Sequence, residues 1–200
     1  MSEFCLDKQQ VKSSFARASN SYDAMASLQR QVGQDLANFI HIPKVGRVLD
    51  IGCGTGFFTQ LLDDKEKINQ LVALDMALPM LFKTQQRSLS NPLSLVCADA
   101  ENLPFITESM GAVTSNLALQ WCLNLEGLFS GIHRVLQPDG LFSFSTFGAA
   151  ALQELKAAWA SVDDYPHVNE FYSESVLESA LQVAGFVDIK IETKVYVSEY

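Results

Sequence analysis

One stretch of the chain decides the fold: Val48-Leu49-Asp50-Ile51-Gly52-Cys53-Gly54-Thr55-Gly56. An apolar run typical of a buried strand passes directly into three glycines at alternate positions. Glycine accepts backbone conformations that other residues avoid, so the chain can turn sharply here and a ligand can approach the amides closely. The stretch therefore predicts a strand, a ligand-binding turn and a following helix, although an ordinary glycine-rich turn would contain the same glycines.

Strands and helices alternate on both sides of this stretch. Short apolar runs predict strands over 46–51, 70–74, 93–97, 112–116 and 141–147, and an edge strand over 187–197. Amphipathic patterns predict helices through the first forty residues and over 57–62, 79–87, 125–136, 152–159 and 175–184. A turn is expected at Pro138-Asp139-Gly140. This alternation predicts an α/β fold with a mainly parallel sheet and helices on both faces.

Two acidic residues follow the next two predicted strands. In such sheets ligands bind beyond the carboxyl ends of the strands, so residues that follow strands are candidate ligand contacts. Asp75, nineteen residues after Gly56, is placed to accept hydrogen bonds from ribose hydroxyls, and Asp99 is placed to accept from the amino group of an adenine. Each aspartate also has a simpler interpretation: Asp75 could cap the helix that starts near Pro79, and Asp99 could have a capping or turn role.

The charges around the glycines favour one kind of nucleoside cofactor over another. A dinucleotide fingerprint reads G-x-G-x-x-G and places a pyrophosphate at a helix N-terminus. This chain has G-x-G-x-G, with Asp50, Asp75 and Asp99 around it. An acidic cleft suits S-adenosylmethionine, which has no phosphate and carries a sulfonium and an ammonium. We therefore expect S-adenosylmethionine as cofactor and S-adenosylhomocysteine as its product, with an NAD-dependent oxidoreductase as the alternative.

The chain resembles the class I S-adenosylmethionine-dependent methyltransferases, whose motif D-x-G-x-G-x-G matches residues 50–56. Further segments resemble one family in particular, the malonyl-[acyl-carrier protein] O-methyltransferases of biotin synthesis. The resemblance covers about residues 11–187. It rests on Ser14-Phe15-Ala16-Arg17-Ala18, Tyr22, Leu28-Gln29-Arg30, Asp99-Ala100-Glu101-Asn102-Leu103-Pro104, Asn116-Leu117-Ala118-Leu119-Gln120-Trp121-Cys122, Phe144-Ser145-Thr146-Phe147 and Pro166-His167-Val168-Asn169.

The resemblance implies a Rossmann-like class I methyltransferase fold in a single domain over 1–200. Residues 1–42 are expected to form a helical lid, 43–147 the cofactor-binding core, and 148–200 substrate-side helices and a sixth strand. Members of the fold normally continue to a seventh strand, so we expect the sheet to lack its usual last strand.

The resemblance also implies site residues. The glycine loop is expected near the methionine part of the cofactor, Asp75 at the ribose, Asp99 and Ala100 at the adenine, and Asn116 facing the transferred methyl. The expected cofactor-binding residues are Arg30, Asp50, Gly52, Cys53, Gly54, Gly56, Asp75, Met76, Asp99, Ala100 and Asn116. The expected substrate-positioning residues are Tyr22, Arg30, Gln120, Trp121 and His167.

The reaction that the resemblance implies is methylation of the free carboxylate of a malonyl thioester. No catalytic acid or base is expected, because a carboxylate is already ionised at neutral pH. Structural alternatives remain open for the positioning residues: a solvated helix face for Arg30, core packing for Trp121 and a structural loop role for His167.

The composition excludes several other classes of protein. The net charge of −9 disfavours nucleic-acid binding, and no apolar run is long enough for a membrane span. The four cysteines and three histidines are scattered, so no metal site is expected. The N-terminus lacks the layout of a signal peptide, and we expect a cytoplasmic protein.

Basic residues concentrate near the N-terminus, where residues 1–46 carry a net charge of +1. An acidic acyl-carrier protein needs a local basic patch on a chain that is acidic overall. Lys8, Lys12 and Arg17 are the expected docking residues, with a solvated amphipathic helix as the alternative.

Two further functions stay open from the residues alone. The same glycine loop and acids would serve a methyltransferase for another small carboxylate or a quinone-like acceptor. They would also serve an inactive S-adenosylmethionine-binding protein.

Overall fold

A parallel sheet with helices on both faces forms the centre of the structure. The computed structural model describes residues 7–42, 46–163 and 168–197. Its helices are α1 (Lys8–Ala18), α2 (Tyr22–Met25), α3 (Ser27–Phe39), α4 (Phe57–Asp63), α5 (Leu78–Gln85), α6 (Leu125–Val135), α7 (Gln153–Ala160) and α8 (Glu174–Val183). Its strands are β1 (Gly46–Ile51), β2 (Ile68–Asp75), β3 (Leu93–Cys97), β4 (Met110–Asn116) and β5 (Leu136–Ser145).

The strand order β3-β2-β1-β4-β5 places the start of the sequence motif in the middle of the sheet. All four strand pairs are parallel, and β1 pairs with both β2 and β4. The chain runs outward from β1 to β3 and then returns to β4 on the other side of β1. The order therefore reverses beside β1, and the carboxyl ends of β1 and β4 mark the place where such sheets bind ligands.

Alternate residues of β1 face two separate apolar layers, because successive side chains of a strand point to opposite faces. Leu49 and Ile51 pack in the layer that contains Phe129 of α6, and the apolar residues of α8 join it. Val48 packs in the layer that contains Phe58 of α4, with the end of α3. Both faces of the sheet are therefore covered, as the sequence predicted.

Most predicted elements are confirmed. The strands predicted over 46–51 and 93–97 agree residue for residue with β1 and β3, and the others agree within a few residues at most ends. The predicted helical N-terminal region forms α1, α2 and α3. The fold class, an α/β fold with a parallel sheet and helices on both faces, is confirmed. The three-part division at residues 42 and 147 stays a prediction.

The edge strand predicted over 187–197 is wrong. In the described segment 168–197 no strand forms, and the end of the segment instead contacts α3. Lys194 Nζ and Tyr196 Oη lie 2.6 and 2.7 Å from Asp35 Oδ2. The apolar residues of the alternating pattern are mostly exposed, with Val187 at 81% and Val195 at 84%, so the pattern has no buried face to stabilise a strand.

The predicted turn at Pro138-Asp139-Gly140 lies inside β5, which makes that strand start five residues earlier than the predicted 141. The register of β5 against β4 shifts here, since Met110 pairs with Leu136 but Ala112 pairs with Leu141. Asp139 has a left-handed φ of 58°. The turn residues therefore form an irregular step within the strand rather than its boundary.

Candidate active site

The glycine loop connects β1 to α4 at the carboxyl edge of the sheet. Gly52, Gly54 and Gly56 have φ values of +69°, +55° and +80°, in the left-handed region that favours glycine. Two of the three are also closely packed. A Cβ on Gly52 would collide with Ala118, and a Cβ on Gly56 would lie 2.8 Å from Thr84 Cγ2. The loop is therefore fixed between the residues that follow β4 and helix α5.

Asp50 is a buried carboxyl directly before this loop, with only 1% of its surface exposed. Thr59 Oγ1 donates to its Oδ2 at 2.6 Å, and Oδ1 has no hydrogen-bond partner in the described part of the chain. Burial raises the pKa of Asp50 to about 7, against the hydrogen bond from Thr59, and the nearby charge of Asp75 adds to the increase. The site thus contains one buried carboxyl oxygen that is free to accept.

Asp75 fastens the glycine loop to the end of β2. Its Oδ2 accepts from Gly54 N at 2.9 Å, and its Oδ1 accepts from Ala77 N at 2.7 Å. Burial raises the pKa of Asp75, although these backbone N–H groups act in the opposite direction. Asp75 does not cap α5, which was its alternative role, because that helix has no side-chain cap. Its contact with a ribose stays a prediction.

Asp99 caps a short 3-10 helix, Ala100–Asn102, by accepting from Glu101 N at 3.0 Å. Its other oxygen, Oδ2, lies 2.6 Å from Lys8 Nζ, and Lys8 Nζ also lies 2.6 Å from Glu101 Oε2. Burial alone would lower the pKa of Lys8, but hydrogen bonds to the two carboxylates raise it. We call these three residues the Lys8 cluster.

The predicted docking role of Lys8 stays a prediction. Its ammonium is ion-paired with the carboxylates of Asp99 and Glu101, and its side chain is only 21% exposed. Lys12 and Arg17 are exposed on α1, and their docking role stays a prediction.

The N-terminal helices cover the glycine loop. Phe15 of α1 contacts the rings of Tyr22 and Trp121 at centroid distances of 6.1 and 5.6 Å. Arg30 of α3 donates from Nη1 to the carbonyl of Asp23. A cavity of about 40 Å³ remains between these helices and the loop. It is lined by Tyr22, Asp23, Ala26, Gln29, Arg30, Gly52, Cys53, Gly54, Thr55, Phe57, Phe58 and Asn116.

Six of the predicted site residues therefore line one cavity. They are Tyr22, Arg30, Gly52, Cys53, Gly54 and Asn116. Cys53 is buried, and burial raises the pKa of its thiol well above the ordinary value, so it is a packing residue and not a nucleophile.

The predicted residues at and after the end of β4 are held by hydrogen bonds. Asn116 Nδ2 donates to Gln29 O at 2.9 Å, and its Oδ1 accepts from Ser145 Oγ at 2.8 Å. Gln120 Nε2 donates to Leu117 O at 2.7 Å, while its Oε1 is buried without a hydrogen-bond partner in the described residues. The other predicted residues are Met76 and Ala100, which follow β2 and β3, and His167, which lies outside the described residues.

Sequence reasoning missed a second polar cluster, formed by Asp23, Thr55 and Arg87. Arg87 Nη2 lies 2.8 Å from Asp23 Oδ2, and Arg87 Nε donates to Thr55 O at 2.9 Å. Thr55 Oγ1 also donates to Asp23. We call this the Arg87 cluster; it ties α2 to the glycine loop and to the end of α5. Its members are far apart in sequence and show no spacing signal.

A family model described as a methyltransferase domain matches residues 49–144. A malonyl-[acyl-carrier protein] O-methyltransferase from Methylococcus capsulatus is 42% identical to this chain over 191 residues, which cover 94% of this chain and 70% of that protein. The chain belongs to this family. The biotin biosynthesis bifunctional protein BioHC of Cellvibrio japonicus is 43% identical, and there the match covers 90% of this chain but 36% of that protein.

Solved structures with the same fold support the architecture. A Haloferax volcanii methyltransferase, solved in a complex with the Trm112 activator, matches with a TM-score of 0.72 at 20% identity, covering 90% of this chain and 83% of that one. The phosphoethanolamine N-methyltransferase 2 of Haemonchus contortus matches with a TM-score of 0.62 at 24% identity, covering 81% of this chain and 38% of that one.

The predicted family and enzyme class are therefore confirmed, in preference to the oxidoreductase alternative. Among the described residues, no helix of this family member is long and apolar enough to cross a membrane.

Proposed function

We propose that this protein transfers a methyl group from S-adenosylmethionine to the free carboxylate of a malonyl thioester on acyl-carrier protein. The products are the malonyl methyl ester, which enters biotin synthesis, and S-adenosylhomocysteine. The observation that carries the proposal is the 42% identity, over 94% of the chain, to a relative of that name. The glycine loop and the three aspartates at the carboxyl edge of the sheet supply the chemistry that the proposal needs.

The residues at the glycine loop fit this cofactor. Asp50 Oδ1 is a buried acceptor without a partner in the described residues, as a ligand that carries an ammonium requires. A Cβ on Gly54 would meet the Tyr22 ring at 4.0 Å, an ordinary van der Waals contact, so the loop is not closely packed there. Asp75 and Asp99 follow the next two strands and would hold the ribose and the adenine. When bound, the cofactor supplies an electrophilic methyl group.

The protein's own residues act by binding and orienting. The malonyl carboxylate is ionised at neutral pH, so the chain needs no base to activate it. Burial raises the pKa of Tyr22, as do the charges of Asp75 and Asp23, and the phenol therefore stays neutral. We assign Tyr22 and Trp121 the exclusion of water. Alignment of the carboxylate with the methyl at about 3–3.5 Å in a dry site accounts for most of the acceleration.

Arg30 is the proposed partner of a carboxylate group. Its guanidinium lies at the wall of the cavity, beside the carbonyl of Asp23. A guanidinium binds a carboxylate through two parallel hydrogen bonds, which fix its orientation as well as its position.

Mass spectrometry of malonyl-acyl-carrier protein, incubated with this protein and S-adenosylmethionine, tests the proposal. We expect a gain of one methylene mass on malonyl-carrier protein and none on acetyl-carrier protein, which has no free carboxylate. Methylation of free dicarboxylates in preference to the malonyl thioester would contradict the substrate assignment. Calorimetric titration with S-adenosylhomocysteine tests the cofactor assignment separately.

A further inference from the structure

Two polar clusters hold the N-terminal helices against the carboxyl edge of the sheet. The Lys8 cluster lies at the beginning of α1, and the Arg87 cluster lies at α2. Between them, Phe15 packs on Trp121. The segment from Lys8 to Asp23 is therefore fixed at both ends over the site.

The cavity that the N-terminal helices leave at the glycine loop is small. The cavity at the glycine loop measures about 40 Å³, whereas pockets for small ligands usually measure roughly 300 Å³ or more. A ligand larger than this cavity would enter only if the N-terminal helices moved away from the loop. Any such movement must break or rearrange contacts of one or both clusters.

The Lys8 cluster involves the carboxylate that the proposed function assigns to adenine. Asp99 Oδ1 already accepts from Glu101 N, so Oδ2 is the oxygen available to an incoming donor. Lys8 Nζ lies 2.6 Å from that same Oδ2. Glu101 offers Lys8 a second partner at 2.6 Å, and its other oxygen is committed to Asn124 N at 3.1 Å.

We propose that Lys8 competes with the adenine amino group for Asp99, so that cofactor binding displaces Lys8 from that carboxylate. This inference rests on the proposed function. Glu101 retains Lys8 after the displacement, which keeps the ammonium paired and lowers the cost of the exchange. The apparent affinity for the cofactor therefore falls as the fraction of molecules in which Lys8 is bound to Asp99 rises.

Calorimetric titration of the Lys8→Met variant with S-adenosylhomocysteine tests this proposal. Methionine keeps an apolar side chain of similar length but cannot donate to Asp99. We expect the variant to bind about fivefold more tightly than the wild type, the effect of a partly exposed ion pair. Lys65→Met is the matched control, because it removes the same charge just before the amino end of β2, at the opposite edge of the sheet. We expect its affinity to be unchanged.

A double-variant comparison shows whether the effect acts through Asp99. In an Asp99→Asn background, Lys8→Met should no longer tighten binding, because the contested carboxylate is gone. Thermal melting of each variant checks that it is folded. If the methionine variant does not fold, Lys8→Leu, which also cannot donate to Asp99, replaces it.

The outcomes separate the two proposals. Unchanged or weaker binding by folded Lys8→Met, with normal binding by the wild type, overturns the competition but leaves the proposed function intact. No binding of S-adenosylhomocysteine by either protein overturns both.

Discussion

Asp50 combines a position required by the glycine-loop motif with an environment that disfavours its charge. It is buried, one of its oxygens accepts from Thr59, and the carboxyl of Asp75 also faces the loop. Burial raises its pKa from the ordinary 3.8 to about 7, despite the opposing hydrogen bond. The folded protein thus keeps an acidic acceptor at its site at the expense of stability near neutral pH.

The pH dependence of unfolding should reveal this cost. Between pH values near 3.8 and about 7 the folded state binds more protons at Asp50 than the unfolded state does, so stability falls as pH rises through this range and levels off above it. We expect Asp50→Asn to lack this decrease. Urea unfolding of both proteins at about pH 5 and about pH 8 measures the difference. An identical change of unfolding free energy in the two proteins would contradict the assignment.

Gly54 and Gly56 have different surroundings. We therefore expect a substitution at Gly54 to affect mainly ligand binding and one at Gly56 to affect mainly the stability of the fold. A Cβ on Gly56 would lie 2.8 Å from a methyl group of the buried Thr84, whereas a Cβ on Gly54 would lie 4.0 Å from Tyr22, across the cavity. Gly56→Ala should destabilise the fold by about 1–3 kcal/mol beyond the backbone strain that both variants share.

Gly54→Ala should remain the more stable of the two but bind S-adenosylhomocysteine about tenfold more weakly, because the added methyl group enters the cavity. Thermal melting and calorimetry of both variants measure the two effects. Equal loss of stability in both would show that the space beside Gly54 does not exist.

The position of α2 depends on the contacts of the Arg87 side chain. Arg87 joins Asp23 of α2 to Thr55 of the glycine loop. We expect Arg87→Met to raise amide hydrogen exchange in α2 while exchange in α6, whose apolar face is buried, stays unchanged. Lys83→Met, on α5 itself, is the matched control. Faster exchange in α6 as well would indicate global destabilisation instead of release of α2.

The elements that the sequence predicted well are those whose apolar residues are buried. In β1, Val48, Leu49 and Ile51 are almost completely buried, and the prediction of that strand agrees at both ends. The segment 187–197 has a similarly regular alternation, but its valines are mostly exposed. Periodicity indicates that a strand is possible, whereas a neighbouring strand and a buried face decide whether it forms.

The same distinction applies to the candidate site. The glycine loop and Asp75 were predictable because their positions after strands follow from local sequence. The Lys8 and Arg87 clusters were not, because each joins residues far apart in the chain. Lys8 illustrates the difference: its charge suggested a docking residue, and only the folded structure places its Nζ 2.6 Å from Asp99 Oδ2.

The distribution of charge over the protein leaves a narrower docking surface than the sequence suggested. The chain carries a net charge of −9, which disfavours an acidic carrier protein over most of the surface. With Lys8 paired internally, Lys12 and Arg17 remain as exposed cations on α1, the helix that lies over the site. A carrier protein that docks there would deliver its malonyl group close to the cavity.

The double variant Lys12→Glu/Arg17→Glu tests whether this surface, and not the net charge of the whole protein, guides the carrier protein. We expect the KM for malonyl-carrier protein to rise about tenfold, while the KM for malonyl-coenzyme A and the affinity for S-adenosylhomocysteine change little, since neither ligand needs the helix surface. Lys65→Glu/Lys190→Glu makes the same change of charge away from α1 and should leave both KM values close to those of the wild type. If both double variants raise the KM for carrier protein equally, the overall charge of the protein governs the encounter and α1 is not the docking surface.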